Sequence, residues 1–122
     1  IVEDEPSLRQ ALVDKIHRLS DIVVLEASDG EVGLMSALNE RPQVIVLDVI
    51  MPKMDGLTML KKLREDSWGK QVSVIVLTNV SPNDEQVMSQ VSVAEPSYYF
   101  VKANKSIEEV SRVVQELLAK QK

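Results

Sequence analysis

The chain has 122 residues, of which 44% are hydrophobic and 27% are charged, and its formal net charge is −5. These values predict one globular domain with its own apolar core, and the acidic balance argues against direct nucleic-acid binding, which needs clustered Lys and Arg. Cysteine is absent, which excludes disulfides, thiolate metal sites and cysteine nucleophiles. Because the apolar runs are short and no signal peptide is visible, we expect a cytoplasmic protein without a membrane partner.

The first half of the chain alternates short apolar runs with segments of helical periodicity. Residues 1–2 form the stub of a strand, and because the chain begins inside this apolar run we expect a fragment of a longer protein that lacks the start of the strand. Further strands are predicted at residues 21–27 and 43–48, whose nearly continuous apolar character suits strands covered on both faces. The stripes of the two helices are Leu8, Leu12, Ile16 and Leu19, and then Val32, Met35 and Leu38.

The second half continues the alternation, with strands predicted at residues 71–78 and 98–101. Residues 81–95 between them predict a loosely held helix, because Val91, Ser92 and Val93 are poor helix formers. Ser106 and Glu109 predict a capping box at the start of the last helix. The stripes of the other two helices are Leu57, Leu60 and Leu63, and then Ile107, Val110, Val114 and Leu117.

Five alternations of strand and helix predict right-handed βαβ units around a parallel sheet, with the ligand site beyond the carboxyl ends of the strands. The residues at those ends are Glu3 and Asp4, Asp48, Thr78 and Lys102. Three carboxylates placed together repel one another unless a cation is bound, and hard oxygen ligands suit Mg²⁺. A carboxylate beside Mg²⁺ can act as a nucleophile toward a phosphoryl group, while a lysine and a hydroxyl stabilise its oxygens.

Four runs of the sequence resemble, in order, the receiver domain of the response regulators of two-component systems. They are Val2-Glu3-Asp4-Glu5-Pro6, Val46-Leu47-Asp48-Val49-Ile50-Met51-Pro52-Lys53-Met54-Asp55-Gly56, Leu77-Thr78 and Tyr99-Phe100-Val101-Lys102. The resemblance covers the whole chain and implies a single receiver domain over residues 1–122. It implies an α/β fold, a flavodoxin-like doubly wound (βα)5 sandwich whose parallel five-stranded sheet has the order 2-1-3-4-5.

The resemblance also implies a role for each strand-end residue. Asp48 would accept a phosphoryl group from a histidine kinase or phosphotransfer protein, with Mg²⁺ as cofactor. The implied metal ligands are Glu3, Asp4, Asp48 and the backbone carbonyl of Ile50. Lys102 would pair with the phosphoryl group, and Thr78 and Tyr99 would form the switch. Pro52 and Gly56 would shape the loop after the phosphoacceptor.

The implied protein is a signalling switch that assists its own phosphotransfer, not an enzyme in the metabolic sense. Its output would pass through the face made by the fourth helix, the fifth strand and the fifth helix, to an output domain or a second copy. A free-standing regulator, a transcription factor and a hybrid kinase all remain open as the parent protein.

Several positions depart from the family pattern. Ala103 replaces the usual proline after Lys102, and we expect a trans peptide bond there. Asn79 is bulkier than the usual residue and should narrow access to the phosphoryl group. Ile50 and Val80 flank the path of an attacking water and cannot orient it, which predicts slow self-dephosphorylation. The segment of residues 90–97 is about two residues longer than usual, so we expect a choice of partner that is unusual for the family.

Two alternatives belong to other classes of function. One is a pseudo-receiver, a binding module that docks without being phosphorylated. The other is an aspartate-nucleophile phosphatase, which would need a second Asp where this sequence has Ile50. Dinucleotide binding is excluded because no Gly-x-Gly-x-x-Gly follows the first strand. His17 is interpreted as a surface residue, and a packing role is predicted for Trp68, Met35, Met59 and Met88.

Overall fold

A parallel sheet with helices on both faces forms the framework of the computed structural model, which describes residues 1–19 and 21–121. The elements are α1 (Pro6–His17), α2 (Gly30–Glu40), β1 (Val44–Leu47), α3 (Gly56–Glu65), β2 (Ser73–Thr78), α4 (Glu85–Ala94), β3 (Tyr98–Val101), a 3-10 turn (Lys102–Asn104) and α5 (Ile107–Ala119). Across the described ranges, no helix has the length and apolar character needed to cross a bilayer.

The order of the sheet is the predicted one. β1 pairs with β2 and β2 with β3, all in parallel. Val2 bridges in parallel to Leu47 on one side and to Ala27 on the other. The first segment of the chain therefore lies between the segment that ends at Ala27 and β1. The order 2-1-3-4-5 of a flavodoxin-like α/β fold is confirmed.

The strand predicted at residues 21–27 is wrong in extent, because residues 22–26 form no strand and only Ala27 is bridged. The Ala27 N–H donates to the Ile1 carbonyl at 2.9 Å, and the Glu3 N–H donates to the Ala27 carbonyl at 3.0 Å. A strand is defined by a ladder of such bonds, and among residues 21–27 only Ala27 forms a bridge. The strands predicted at 43–48 and 71–78 are each shorter than expected, whereas that at 98–101 has the predicted bounds.

Successive residues of the strands pack into two separate apolar clusters, one on each face of the sheet. Leu47, Val74 and Val76 belong to the cluster under α2, α3 and α4. Ile75 and Leu77 belong to the cluster under α1 and α5. The predicted stripes of three helices supply most of the helical partners, which confirms them. These buried partners are Leu12 and Ile16 of α1, Leu57, Leu60 and Leu63 of α3, and Val110, Val114 and Leu117 of α5.

The stripe predicted for α2 points the wrong way. Val32, Met35 and Leu38 are 48%, 65% and 36% exposed, so the packing role predicted for Met35 is also wrong. The buried face of α2 consists of small residues, and a Cβ added to Gly33 would lie 2.8 Å from a methyl carbon of Val2. The backbone of α2 approaches the sheet too closely for a large side chain at Gly33, and the three residues of the predicted stripe face solvent, whereas Leu34 is partly buried against the core.

α4 is fixed mainly at its carboxyl end. Its buried residues are Val91 and Ala94, and it begins at Glu85, later than predicted, because Asp84 caps it by accepting from the Val87 N–H. The Arg64 guanidinium of α3 donates to the carbonyls of four residues beside this end. They are Gly69 (2.7 Å), Val72 (2.8 Å), Ala94 (2.8 Å) and Glu95 (2.9 Å).

The Arg64 contacts generate the first prediction. Arg64→Met removes the donors and leaves partly buried carbonyls without a partner, so the free energy of unfolding should fall by roughly 2–3 kcal/mol. Lys62→Met removes the same charge from an exposed position of the same helix and should change the free energy by less than about 0.5 kcal/mol. Urea unfolding of both variants measures the difference. Equal losses of unfolding free energy in the two variants would contradict a stabilising role for the Arg64 hydrogen bonds.

Candidate functional site

Three side chains from distant parts of the chain meet at the carboxyl edge of the sheet. The Lys102 Nζ lies 2.8 Å from the Asp48 Oδ2 and 2.8 Å from the Glu3 Oε1. Glu3 and Asp48 are buried, whereas Asp4 beside them is exposed. The carboxylates of Glu3, Asp4 and Asp48 each offer an oxygen within 4.8 Å of the others. The fold therefore brings together the acidic pair, the strand-end aspartate and the lysine of the sequence analysis.

The sheet and a close backbone contact fix the position of Asp48. It directly follows β1, and its N–H donates to the Val2 carbonyl at 3.1 Å. The backbone of Gly56 crosses directly against it, since a Cβ at Gly56 would lie only 1.7 Å from the Asp48 carbonyl oxygen. The Gly56 N–H also donates to the Val49 carbonyl at 2.7 Å. Only glycine allows α3 to begin this close to the phosphoacceptor candidate.

The charges of the site are unevenly balanced. Burial raises the pKa of the Glu3 carboxyl, and hydrogen bonds from Lys102 and from the Glu5 N–H partly offset this rise. Burial alone would lower the pKa of the Lys102 ammonium, but its hydrogen bonds to Asp48 and Glu3 raise it above the usual 10.5. When Glu3, Asp4 and Asp48 are all ionised, the single ammonium leaves an excess of negative charge.

This donor set fits Mg²⁺. Three carboxylates supply hard oxygen ligands at one edge of the sheet, and the exposed Asp4 leaves one side open to water. The net negative charge suits a divalent ion. Ile50 follows two positions after Asp48, and its N–H donates to the Asp48 Oδ1 at 3.3 Å. The loop that carries the Ile50 carbonyl is thus tied to the same carboxylate.

Thr78 and Tyr99 meet through the backbone of Val80. The Thr78 side chain is buried at the end of β2, and its Oγ1 accepts a long hydrogen bond from the Val80 N–H at 3.4 Å. The Tyr99 hydroxyl donates to the Val80 carbonyl at 2.8 Å. Burial raises the pKa of this hydroxyl, and the carboxylates of Asp84 and Asp48 add to the effect. Both predicted switch residues therefore hold the loop between β2 and α4.

The family departures are visible in the structure. The Lys102–Ala103 peptide bond is trans, as predicted, and Lys102 still contacts both carboxylates. Asn79 is exposed, and the Ile50 side chain is 66% exposed beside Asp48. His17 is at the surface and Trp68 packs against the core, as the sequence predicts.

Two basic residues near the site were missed by the sequence analysis. Arg9 of α1 donates from Nη1 to the Glu3 carbonyl at 2.8 Å and pairs from Nε with Glu26 at 3.3 Å. The Lys53 Nζ lies 3.8 Å from the Oδ2 of the buried Asp29, and the backbone of Lys53 has a positive φ of 66°. The only sequence signal for Arg9 is a basic residue within the first turns after an acidic pair, which is too common to stand out.

The buried Glu3 carboxyl predicts a pH dependence of stability. Because its pKa is higher in the folded chain than in the unfolded chain, the folded state binds more protons than the unfolded state between pH 4.5, the ordinary value of this carboxyl, and the raised pKa. In that window, up to the raised pKa, the free energy of unfolding of the metal-free chain should fall with rising pH. Glu3→Gln should remove this slope, whereas the exposed Glu40→Gln should keep it. Urea unfolding over a pH series is the measurement, and an unchanged slope in Glu3→Gln would disprove the assignment.

Comparison with known proteins agrees with this geometry. A family model described as the response regulator receiver domain matches residues 1–114. The nitrate/nitrite response regulator protein NarL of Escherichia coli (strain K12) is 37% identical over 99 residues, which are 80% of this chain and 44% of NarL. The alkaline phosphatase synthesis transcriptional regulatory protein PhoP of Bacillus subtilis (strain 168) is 45% identical over 65 residues, 53% of this chain and 27% of PhoP. The chain spans less than half the length of these curated relatives.

Solved structures of response regulators are also similar to this chain. The receiver domain of the Francisella response regulator 1452 is 26% identical with a TM-score of 0.84, over 99% of this chain and 95% of that one. A LuxR-family DNA-binding response regulator from Staphylococcus aureus is 27% identical with a TM-score of 0.81, over 95% and 94% of the two chains. The chain therefore belongs to the response regulator receiver domain family.

Proposed function

We propose that this receiver domain is a phosphoacceptor switch, in which Asp48 takes a phosphoryl group from the phosphohistidine of a kinase or phosphotransfer protein. The observation that carries the proposal is the joint contact of Lys102 with Asp48 and Glu3 at the carboxyl edge of the sheet. In this contact the carboxylate proposed as the nucleophile, a cation and a second carboxylate share one hydrogen-bonded group. The domain would assist its own phosphotransfer and would not act as a metabolic enzyme.

The transfer itself needs little more than position and charge. An Asp48 carboxylate oxygen attacks phosphorus, the P–N bond breaks, and its electron pair stays on the imidazole nitrogen of the donor, which then takes up a proton. The Lys102 ammonium, which now contacts the Asp48 carboxylate, would pair with one oxygen of the phosphoryl group on Asp48. Glu3, Asp4, Asp48 and the Ile50 carbonyl would hold Mg²⁺. When bound, Mg²⁺ supplies positive charge against the repulsion of the carboxylates and the phosphoryl oxygens.

The Val80 backbone offers a route for the signal. A Thr78 hydroxyl that turns toward a phosphoryl oxygen gives up its long contact with the Val80 N–H. The Val80 carbonyl is the acceptor for Tyr99, so a shift of this loop also changes the hold on the tyrosine. α4 begins only a few residues later and is weakly buried at that end. The switch would therefore alter the face formed by α4, β3 and α5.

The partner side of the proposal follows from the family. The donor would be a histidine kinase or phosphotransfer protein in the cytoplasm. The output would be an output domain or a second copy that contacts the α4, β3 and α5 face. Val93 lies on α4 and is 82% exposed, which gives a partner an apolar contact there.

The first test is phosphorylation itself. The chain is incubated with Mg²⁺ and acetyl phosphate, and its intact mass is recorded beside Asp48→Asn and Asp14→Asn. Asp14 is an exposed aspartate of α1 and serves as the matched control. We expect one hydroxylamine-labile phosphoryl group in the wild type and in Asp14→Asn, and none in Asp48→Asn or without Mg²⁺.

The alternative is a pseudo-receiver. Because the exposed Asn79 could slow a small donor, a titration with beryllofluoride and Mg²⁺ accompanies the mass measurement. If the wild type neither gains mass nor binds beryllofluoride, the phosphoacceptor proposal is wrong and the pseudo-receiver is the better account.

Slow self-dephosphorylation is the second expected property. Neither the Ile50 nor the Val80 side chain can hydrogen-bond an attacking water. Ile50→Asn introduces a group that can orient this water and should shorten the lifetime of the phosphorylated form several-fold, whereas Ile50→Val should not. The decay of the phosphorylated mass measures both. A wild-type lifetime of seconds would contradict the expectation.

A further inference from the structure

We propose that Arg9 is a positioning residue that sets the affinity of the acidic pair for Mg²⁺, an inference that rests on the proposed function. Arg9 does not touch the metal-binding carboxylates. Its Nη1 donates to the backbone carbonyl of Glu3 at 2.8 Å. That carbonyl belongs to the peptide unit that joins Glu3 to Asp4, and a peptide unit is planar. Holding its oxygen therefore holds the start of Asp4.

The peptide unit after Asp4 is held by the Glu5 N–H, which donates to the Glu3 Oε2 at 3.1 Å, whereas the carbonyl of the unit before Asp4 is held by Arg9. Glu5, the N-cap of α1, makes no side-chain capping bond, so no cap of this kind fixes the backbone where the helix begins. Asp4 is exposed, whereas Glu3 is 2% exposed and is held by Lys102. A flexible Asp4 would lose conformational entropy when it binds a metal ion. A fixed peptide unit reduces that loss.

Arg9 is itself held in place by a closed ring of contacts. Its Nε pairs with the Glu26 Oε1 at 3.3 Å. The next residue, Ala27, accepts from the Glu3 N–H at 3.0 Å, which returns the ring to Glu3. Both polar backbone groups of Glu3 are thus tied, one directly to Ala27 and the other through Arg9 to its neighbour Glu26. The guanidinium can bridge the two because its planar fork presents several donors in fixed directions.

The sign of the effect separates positioning from charge. A positive side chain near three carboxylates opposes the binding of a cation, so its removal on electrostatic grounds alone strengthens Mg²⁺ binding. The loss of Arg9 also frees the negative charge of Glu26, which acts in the same direction. If Arg9 works by positioning, its removal weakens Mg²⁺ binding despite both effects.

The experiment is a calorimetric titration of the unphosphorylated chain with Mg²⁺ alone. Arg9→Met should lower the affinity by about tenfold or more, the range seen when residues that orient metal ligands are removed. Arg9→Lys keeps the charge but replaces the planar fork of separated nitrogens with a single nitrogen, which matches the spacing of the Glu3 carbonyl and Glu26 less well, and it should give an intermediate loss. Arg18→Met removes the same charge from an exposed position at the other end of α1 and should leave the affinity essentially unchanged.

Circular dichroism and urea unfolding establish that each variant is folded under the titration conditions. If Arg9→Met does not fold, Arg9→Lys carries the test, because its charge is unchanged and any loss of affinity reflects position. Equal or tighter Mg²⁺ binding by the folded Arg9 variants overturns the inference and leaves the phosphoacceptor proposal intact. A wild-type chain that binds no Mg²⁺ overturns the inference about Arg9 and contradicts the Mg²⁺ site of the phosphoacceptor proposal. The mass measurement with Asp48→Asn tests the phosphoacceptor proposal independently of the Mg²⁺ titration.

Discussion

The ion pairs of Lys102 are the contacts on which the rest of the site depends. Its ammonium is 2.8 Å from both Glu3 and Asp48, and so it joins the first segment of the chain, the end of β1 and the end of β3. Two buried carboxylates at neighbouring strand ends would otherwise repel at short range. The lysine also uses oxygens that a metal ion would need. Metal binding must therefore share or displace contacts that stabilise the metal-free fold.

The two ends of the sheet are secured differently. At the site edge, the loop from Thr78 to Asp84 is held by single hydrogen bonds, among them the Val80 contacts of Thr78 and Tyr99. At the opposite edge, Arg64 holds the carboxyl end of α4 with bonds to the carbonyls of Ala94 and Glu95, and the same guanidinium binds the carbonyls of Gly69 and Val72 before β2. A helix fixed at one end and lightly packed at the other can tilt without unfolding. A change at Thr78 can thus be transmitted at small cost in packing.

Sequence reasoning succeeded where large side chains or strand ends decide the structure. The stripes of α1, α3 and α5 are buried, and the parallel order gathers Glu3, Asp48 and Lys102 at one edge. It failed for α2, where Gly33 and Ala37 are buried and the predicted stripe of Val32, Met35 and Leu38 faces solvent. It overextended the strand at residues 21–27, because pairing depends on the partner strand and not on composition alone.

The roles of arginines that bind backbone carbonyls could not be predicted from the sequence. Every residue has a carbonyl, so the partners of Arg9 and Arg64 leave no mark in the sequence. Lys102 was predictable because it and its two carboxylate partners all fall at strand ends. Under our proposals, the two kinds of cation would affect a metal ion in opposite ways. Lys102 would compete for the carboxylate oxygens, whereas Arg9 binds a backbone carbonyl and leaves the carboxylates of Glu3, Asp4 and Asp48 free. A positive charge beside an acidic site would therefore favour or oppose metal binding according to which oxygen it occupies.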